Sequence, residues 1–151
     1  MTQGDAVIIY TDGGASPNPG LGGWAAVLRS PAHGAEREIR GAEADTTNNR
    51  MELTAAIQAL RALKRPCLVD LHTDSTYLRN AFEKGWLAKW RKNGWRNSQK
   101  QPVPNRDLWE ELWALTQIHR VRWHWVKGHA DDALNNRCDA LVRRAREEFG
   151  A

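Results

Sequence analysis

The apolar positions of this chain repeat with two periods, one typical of β-strands and one typical of α-helices. Apolar runs and alternating segments predict strands, whereas spacings of three and four residues predict helices. The predicted strands cover 7–10, 22–28, 35–41, 67–74 and 121–126. The predicted helices cover 47–64, 75–84, 86–92, 107–118 and 133–149.

The order of these elements predicts the fold class. The first three strands follow one another through turn-forming residues, which is typical of an antiparallel meander. The strand–helix–strand connection that comes next requires a crossover, so the fourth strand should run parallel to the first. We therefore expect an α/β fold with a mixed five-stranded sheet, in which strands 4 and 5 are parallel to strand 1 and helices flank the sheet.

The composition is that of an ordinary globular protein. The 151 residues are 41% hydrophobic and 26% charged, which is enough for one core, so we expect a single domain over 1–151.

We see no leader-like segment and no apolar run of membrane-spanning length, which predicts a cytoplasmic protein without membrane contact. Nothing indicates an oligomer or an obligatory protein partner. Cys67 and Cys138 lack metal-binding spacing and are expected to be packing residues.

The positive charge is concentrated in one stretch of the chain. The net charge is +4, yet the part outside 84–106 carries 15 basic residues against 18 acids. The stretch 84–106, called here the basic segment, has seven basic residues and no acid: Lys84, Lys89, Arg91, Lys92, Arg96, Lys100 and Arg106. This distribution predicts a local surface for a polyanion.

Three acids are placed where they can meet. Asp12 and Asp74 each end a predicted strand, and because these strands are parallel, both acids should lie at the same edge of the sheet. Glu52 lies near the start of the long helix, on a face with Ala56 and Ala59. An acid on that small-residue face should stand close against the sheet.

Local patterns also offer a plain structural role for each acid. Asp12-Gly13 is a common hairpin turn, and Glu52 fits a capping box that closes a helix start. Asp74 could cap the next helix, a role shared with Ser75. Asp139 could pair with Arg143 one helical turn later. Local pattern alone leaves these alternatives open.

The chain resembles type 1 ribonuclease H of the bacterial kind, from about Val7 to Arg146. The resemblance rests on several motifs along the chain. They are Tyr10-Thr11-Asp12-Gly13-Gly14, Asn18-Pro19-Gly20 with Gly22-Gly23, Thr46-Thr47-Asn48-Asn49-Arg50-Met51-Glu52-Leu53, Thr73-Asp74-Ser75, Asp107-Leu108-Trp109, and Trp125-Val126-Lys127-Gly128-His129-Ala130 with Asn135, Arg137, Cys138 and Asp139.

The resemblance implies a ribonuclease H-like fold and an endonuclease that hydrolyses the RNA strand of RNA/DNA hybrids, leaving 5′-phosphate and 3′-hydroxyl ends. It implies two Mg²⁺ ions, for which Mn²⁺ may substitute. The implied catalytic metal ligands are Asp12, Glu52, Asp74 and Asp139, with Asp12 bridging both ions. The implied mobile histidine is His129. The chain has Asp131-Asp132-Ala133-Leu134 where the family commonly has Gly, His, Pro and Glu, so the size of the His129 contribution stays open.

The resemblance also assigns residues to the hybrid. The basic segment corresponds to the family's basic protrusion along the DNA strand, with Trp86, Lys89, Arg91 and Lys92 as contacts. Asn18, Asn48 and Asn49 match positions in the minor groove, Thr47 and Asn105 match a DNA phosphate pocket, and Asn135 is assigned to substrate binding. Trp86 and Trp90 lie one helical turn apart, a spacing that core packing explains equally well.

Two other functions fit the same fold. A junction resolvase or integrase-like nuclease would act on DNA, although the basic segment and the 2′-hydroxyl positions argue against it. A hybrid-binding module without catalysis would normally have lost a carboxylate, and the sequence keeps all four.

Overall fold

The computed structural model describes residues 6–127 and 133–150. It contains a mixed five-stranded sheet in the order β3-β2-β1-β4-β5. The strands are β1 (Val7–Ala15), β2 (Gly20–Ser30), β3 (Ala35–Thr46), β4 (Leu68–Thr73) and β5 (Arg120–Trp125). The helices are α1 (Asn48–Arg61), α2 (Thr76–Glu83), α3 (Trp86–Lys92), α4 (Arg106–Ile118) and α5 (Ala133–Gly150).

The strand pairing confirms the predicted architecture. β1 pairs antiparallel with β2, and β2 pairs antiparallel with β3. β4 is parallel to β1 on its other side, and β5 is parallel to β4. β1 is the third of the five strands in the sheet order, so it is the central strand.

The hairpin turn expected at Asp12-Gly13 is wrong. β1 continues to Ala15, and Asp12 pairs with Ala25 of β2 in the middle of the antiparallel ladder. The chain reverses later, in the proline-containing stretch 16–19 between β1 and β2. Asp-Gly makes a turn only where the strands end, and here the continuous pairing with β2 holds the backbone extended.

The helix starts settle two of the local alternatives. Thr47 is the N-cap of α1, and its hydroxyl oxygen accepts a hydrogen bond from the Arg50 backbone N–H at 3.2 Å. Glu52 is therefore too far along the helix to close a capping box, and that interpretation is wrong. Ser75, and not Asp74, caps α2 by accepting from the Leu78 N–H at 3.1 Å.

The core lies on both faces of the sheet. On one face, α1 and α4 enclose the larger apolar cluster, whose largest fully buried side chains include Trp109, Ile9, Leu53, Ile57, Leu60, Leu71, Leu78 and Leu112. On the other face, α5 packs on β1, β2 and β3 through a smaller cluster of Ala25, Val27, Cys138, Leu141 and Val142. Cys138 is a buried packing residue, as predicted. Within 6–127 and 133–150, no helix has the length and apolar character needed to cross a membrane.

We predict that truncating the centre of α1 is costly. Ile57 is 1% exposed in the larger cluster, so Ile57→Ala should lower the free energy of unfolding by about 2–5 kcal/mol, because it removes buried methyl groups and leaves a cavity. Ile118 is 54% exposed at the end of α4, and Ile118→Ala should change stability by less than about 0.5 kcal/mol. Urea denaturation curves check both values, and equal effects would contradict this placement of the core.

Candidate active site

Three acids from three elements meet at one edge of the sheet. Carboxylate oxygens of Asp12, Glu52 and Asp74 lie within 4.8 Å of one another; these three residues are called here the acidic cluster. The last parallel pair between β1 and β4 is Tyr10 with His72. Asp12 and Asp74 each come two residues later, so both lie at the carboxyl edge, as predicted.

A close approach of α1 to β1 brings the third acid in. A Cβ atom added to Gly13 would lie 2.4 Å from the Met51 carbonyl carbon and 2.7 Å from the Glu52 backbone nitrogen. No side chain fits there, because backbone atoms of a helix cannot give way. Glycine at position 13 thus lets the start of α1 rest directly on the strand, which places Glu52 beside Asp12.

The acidic cluster is electrostatically strained. Burial, followed by the charges of Asp12 and Asp74, raises the pKa of Glu52 well above its ordinary range. Burial, followed by the charge of Asp74, raises the pKa of Asp12 to about 7, although a hydrogen bond from the Gly13 backbone opposes this shift. Like charges in a shielded place disfavour one another's ionised forms. A bound cation would remove this penalty.

The donor atoms fit a hard divalent cation. Glu52 Oε2 is buried and has no hydrogen-bond partner among the residues the structure describes. A buried carboxylate oxygen without a partner is costly, and a metal ion is a natural partner for it. All three side chains offer oxygen ligands, which magnesium and calcium prefer to nitrogen or sulfur. The acidic cluster is therefore able to bind a divalent metal ion.

Asp139 stands apart from the acidic cluster. Its side chain is 57% exposed on α5, and one carboxylate oxygen lies 3.0 Å from an Arg143 guanidinium nitrogen. The local alternative, an i,i+4 ion pair, is therefore what the structure shows. Asp139 is still close enough for its charge to contribute to the raised pKa of Asp12. Its assignment as a fourth metal ligand stays a prediction.

A polar cleft of about 340 Å³ opens beside the acidic cluster. Its lining includes Gly13, Asn48, Asn49, Glu52, Asp74, Ser75, Thr76 and Tyr77. Two of the predicted minor-groove residues form hydrogen bonds at the rim of this cleft. The Asn48 side-chain oxygen accepts from the Ala15 N–H at 2.7 Å, and the Asn48 backbone N–H donates to the Asn18 side-chain oxygen at 3.1 Å. Asn18, Asn48 and Asn49 are thus gathered at the cleft or on its rim.

One predicted substrate-binding residue, Asn135, is not among the residues given above for the cleft lining. Asn135 is buried at the start of α5. His129, together with Asp131 and Asp132 of the departure from the family pattern, lies outside the described residues. The role of His129 stays a prediction.

Arg50 joins the residues predicted to grip a DNA phosphate. Its guanidinium donates to the Asn105 side-chain oxygen at 3.2 Å and to both oxygens of Asp107 at 3.1 and 2.9 Å. Its backbone N–H donates to Thr47. Sequence reasoning gave Arg50 no role. The available signal was a cation in the first turn of a helix, where the helix dipole disfavours positive charge.

All seven cations of the basic segment are exposed, and some of them also contact other side chains. The Arg91 guanidinium lies 3.8 Å from the centre of the Trp113 ring, and Arg106 pairs with Glu110. The Trp90 ring lies edge-on to Trp109 at 5.7 Å, so packing against the core accounts for it. Lys89 and Lys92 are exposed on α3. A hollow of about 270 Å³ is lined by Trp86, Lys89, Trp90, Arg96, Asn97 and Ser98.

Comparison with known proteins identifies the family. The RNase H family model matches residues 4–147, almost the whole chain. This chain belongs to the ribonuclease H family. The ribonuclease H of Nitratidesulfovibrio vulgaris is 60% identical over 134 residues, which are 89% of this chain and 85% of that protein. The ribonuclease H of Symbiobacterium thermophilum is 59% identical over 139 residues, which are 92% and 93% of the two chains.

Solved structures of ribonucleases H share this fold. LC9-RNase H1, a type 1 enzyme with the type 2 active-site motif, has a TM-score of 0.83 at 29% identity, covering 95% of this chain and 73% of that chain. LC11-RNase H1 in complex with an RNA/DNA hybrid has a TM-score of 0.74 at 22% identity, covering 96% and 99%. Family members generally use divalent metal ions, in agreement with the acidic cluster.

We predict that Asp12 destabilises the metal-free ribonuclease H fold above neutral pH. Its pKa in the folded state is about 7, against an ordinary value of 3.8. A raised carboxyl pKa stabilises the folded state below pH 4, and that stabilisation is lost as the pH rises to 7. Asp12→Asn should therefore raise the free energy of unfolding at pH 8 in EDTA, by up to about 4 kcal/mol, with no gain at pH 4.

The measurement is thermal or urea unfolding in EDTA at the two pH values. Asp139→Asn is the matched control, because this acid is exposed and paired with Arg143. Its stability should differ little from that of the wild type at pH 8. A less stable Asp12→Asn variant at pH 8 would contradict the electrostatic strain described above.

Proposed function

We propose that this ribonuclease H family member is an endonuclease that hydrolyses the RNA strand of RNA/DNA hybrids and leaves 5′-phosphate and 3′-hydroxyl ends. The observation that carries the proposal is the acidic cluster in a polar cleft. Asn48 and Asn49, whose side-chain amides are suited to minor-groove hydroxyls, line this cleft. The solved relative LC11-RNase H1 in complex with an RNA/DNA hybrid supports the choice of substrate.

The metal ligands that we propose are Asp12, Glu52 and Asp74, joined by Asp139. Two Mg²⁺ ions, or Mn²⁺ in their place, would supply an acidified water and charge neutralisation at the leaving oxygen. Asp12 is the ligand proposed to be shared, since a carboxylate oxygen of it lies within 4.8 Å of those of Glu52 and Asp74 and its pKa also responds to the charge of Asp139. Asp139 would have to leave Arg143 to take part, which an exposed pair allows at little cost.

Discrimination between RNA and DNA would come from the cleft rim. Asn18, Asn48 and Asn49 bring side-chain amides, which can both donate to and accept from a 2′-hydroxyl. The hydrogen bonds from Ala15 and Asn48 fix the amide oxygens of Asn48 and Asn18 in place. A duplex without 2′-hydroxyls would leave such groups unmatched.

The phosphates of the DNA strand would lie along two surfaces, one rich in hydrogen-bond donors and one basic. Thr47, Arg50 and Asn105 form the first, on the α1 and α4 side of the cleft. The second is α3 with Lys89, Arg91 and Lys92, next to the hollow that Trp86 lines. Contacts to phosphates bring affinity without sequence preference. We also assign Asn135 to the substrate side and His129 to proton transfer or product release.

All the proposed substrate and metal groups come from one chain, so we propose a monomer of one domain that needs no obligatory protein partner. The cytoplasmic location predicted from the sequence stays a prediction.

The function is tested with three labelled duplexes of one sequence: RNA/DNA hybrid, DNA and RNA. Wild type with Mg²⁺ should cut only the RNA strand of the hybrid. Asp12→Asn should lower turnover by about 10³-fold or more, because a proposed shared metal ligand is lost. EDTA should abolish cleavage by wild type.

Each alternative has its own outcome in this assay. Cleavage of DNA alone would favour a resolvase-like nuclease, and hybrid binding without cleavage would favour a binding module. Wild-type turnover in Asp12→Asn would overturn the metal assignment.

We predict that the exposed lysines of α3 act in binding rather than in chemistry. Lys89→Ala/Lys92→Ala should raise the KM for the hybrid several-fold and leave kcat within about twofold, since two phosphate contacts are lost. The slope of log KM against log salt should fall by roughly 1–2.

Lys64→Ala/Arg65→Ala is the matched control. These exposed cations follow α1 at the opposite end of the sheet from the acidic cluster. The control should leave KM unchanged. A fall in kcat at constant KM in the α3 variant would contradict the binding role.

A further inference from the structure

The Tyr77 hydroxyl links the cleft to the interior of the protein. Tyr77 lies in the first turn of α2 and lines the polar cleft. Its hydroxyl oxygen accepts a hydrogen bond from the indole N–H of Trp109 at 3.0 Å and one from the side-chain amide of Asn105 at 3.1 Å. The same oxygen therefore contacts a core residue and a proposed phosphate-binding residue.

Chemistry fixes the direction of every bond in this network. The guanidinium of Arg50 only donates, so it must face the Asn105 side-chain oxygen, where the distance is 3.2 Å. The Asn105 NH₂ group is then turned toward Tyr77. The Trp109 indole also only donates, so the Tyr77 oxygen accepts twice. One orientation of the Asn105 amide satisfies both of its partners, Arg50 and Tyr77.

The Trp109 end of this hydrogen-bond network is rigid, whereas the Asn105 side chain needs partners that hold its orientation. Trp109 is fully buried, and its ring packs at 5.3 Å from Tyr77 and 5.7 Å from Trp90. Asn105 precedes α4 with a φ of 63°, the left-handed conformation, and its side chain does not cap the helix. Asparagine adopts this conformation more readily than most residues that carry a side chain, and the Asn105 carbonyl accepts from the Leu108 and Trp109 N–H groups. The backbone of Asn105 is thus held by α4, whereas its side chain depends on Tyr77 and Arg50 for its orientation.

We propose that Tyr77 is a positioning residue: its hydroxyl transfers the rigidity of the Trp109 core to the Asn105 side chain. Through Asn105 it adds a third hydrogen bond to the Arg50 guanidinium, which Asp107 already holds with two, at the place proposed to bind a phosphate of the DNA strand. The inference rests on the proposed function, because it names the group that holds the proposed phosphate pocket in place. Tyr77 takes no part in bond cleavage.

The test is Tyr77→Phe, which removes one oxygen and keeps the ring. The KM for the hybrid should rise by about five- to tenfold with kcat within about twofold. The Kd for the hybrid, measured by fluorescence anisotropy in EDTA, should rise by the same factor. An unchanged Kd, or a fall in kcat at constant KM, would overturn the proposal.

A double-mutant cycle separates positioning from general stability. Asn105→Gly keeps the left-handed backbone and removes the amide, so it should raise Kd at least as much as Tyr77→Phe does. Adding Tyr77→Phe to Asn105→Gly should then change Kd by less than about twofold, because the hydroxyl has nothing left to position. Additive effects, or an unchanged Kd in Asn105→Gly, would overturn the proposal even if Tyr77→Phe alone folds poorly.

Thr116→Val is the matched control. The Thr116 hydroxyl lies on the same helix as Trp109, donates to the Trp113 carbonyl at 2.7 Å and accepts from the Gln117 side-chain amide at 3.4 Å. This variant therefore also removes one hydroxyl group that makes two hydrogen bonds. Its Kd should equal that of the wild type, and a comparable rise would overturn the proposal. The EDTA binding assay decides the matter even if wild type fails to cleave hybrids, a result that would refute the proposed function instead.

Discussion

Repulsion within the acidic cluster is the constraint on which the rest of the site depends. Three carboxylates within 4.8 Å would repel by roughly 3 kcal/mol per ionised pair at an effective dielectric constant of about 20. Free side chains would turn away from one another. They stay together because their backbones are fixed by elements that pack elsewhere: β1 and β4 in the sheet, and α1 on the larger apolar cluster. The stability of the core thus maintains a locally unfavourable arrangement that a cation relieves.

Unequal strand lengths make this arrangement accessible. β4 ends at Thr73 while β1 continues to Ala15 along β2. Asp12 therefore lies in a strand that is still held on one side and has lost its parallel neighbour on the other. Pairing with β2 holds the Asp12 backbone in place, and the end of β4 leaves the Asp12 carboxylate accessible. A turn at Asp12 would not have given this combination.

The sequence predicted those features that depend on local or repeated patterns. α3 has the predicted bounds of 86–92, and the parallel placement of β4 follows from its crossover. The predicted end of β1 was wrong, because the Asp-Gly pair occurs both in turns and in strands. Only the pairing with β2 decides between the two. Arg50 was missed because its partners Asn105 and Asp107 lie more than 50 residues away in sequence. Long-range contacts of this kind leave little trace in a local pattern.

In the proposed function, the first turns of α1 carry residues for substrate recognition and a residue for metal binding. Asn48 and Glu52 are four residues apart and so share one helix face, which lies along the end of β1: Asn48 contacts Ala15, and Glu52 stands at Gly13. Arg50, two residues from each, projects from a different face toward Asn105 of α4. The rigid start of α1 thereby fixes the distances between a proposed minor-groove contact (Asn48), a proposed metal ligand (Glu52) and a proposed phosphate contact (Arg50). In the proposed function, the position of the cut relative to the gripped DNA phosphate is therefore set by helix geometry, and a shift of α1 would disturb binding and cleavage together.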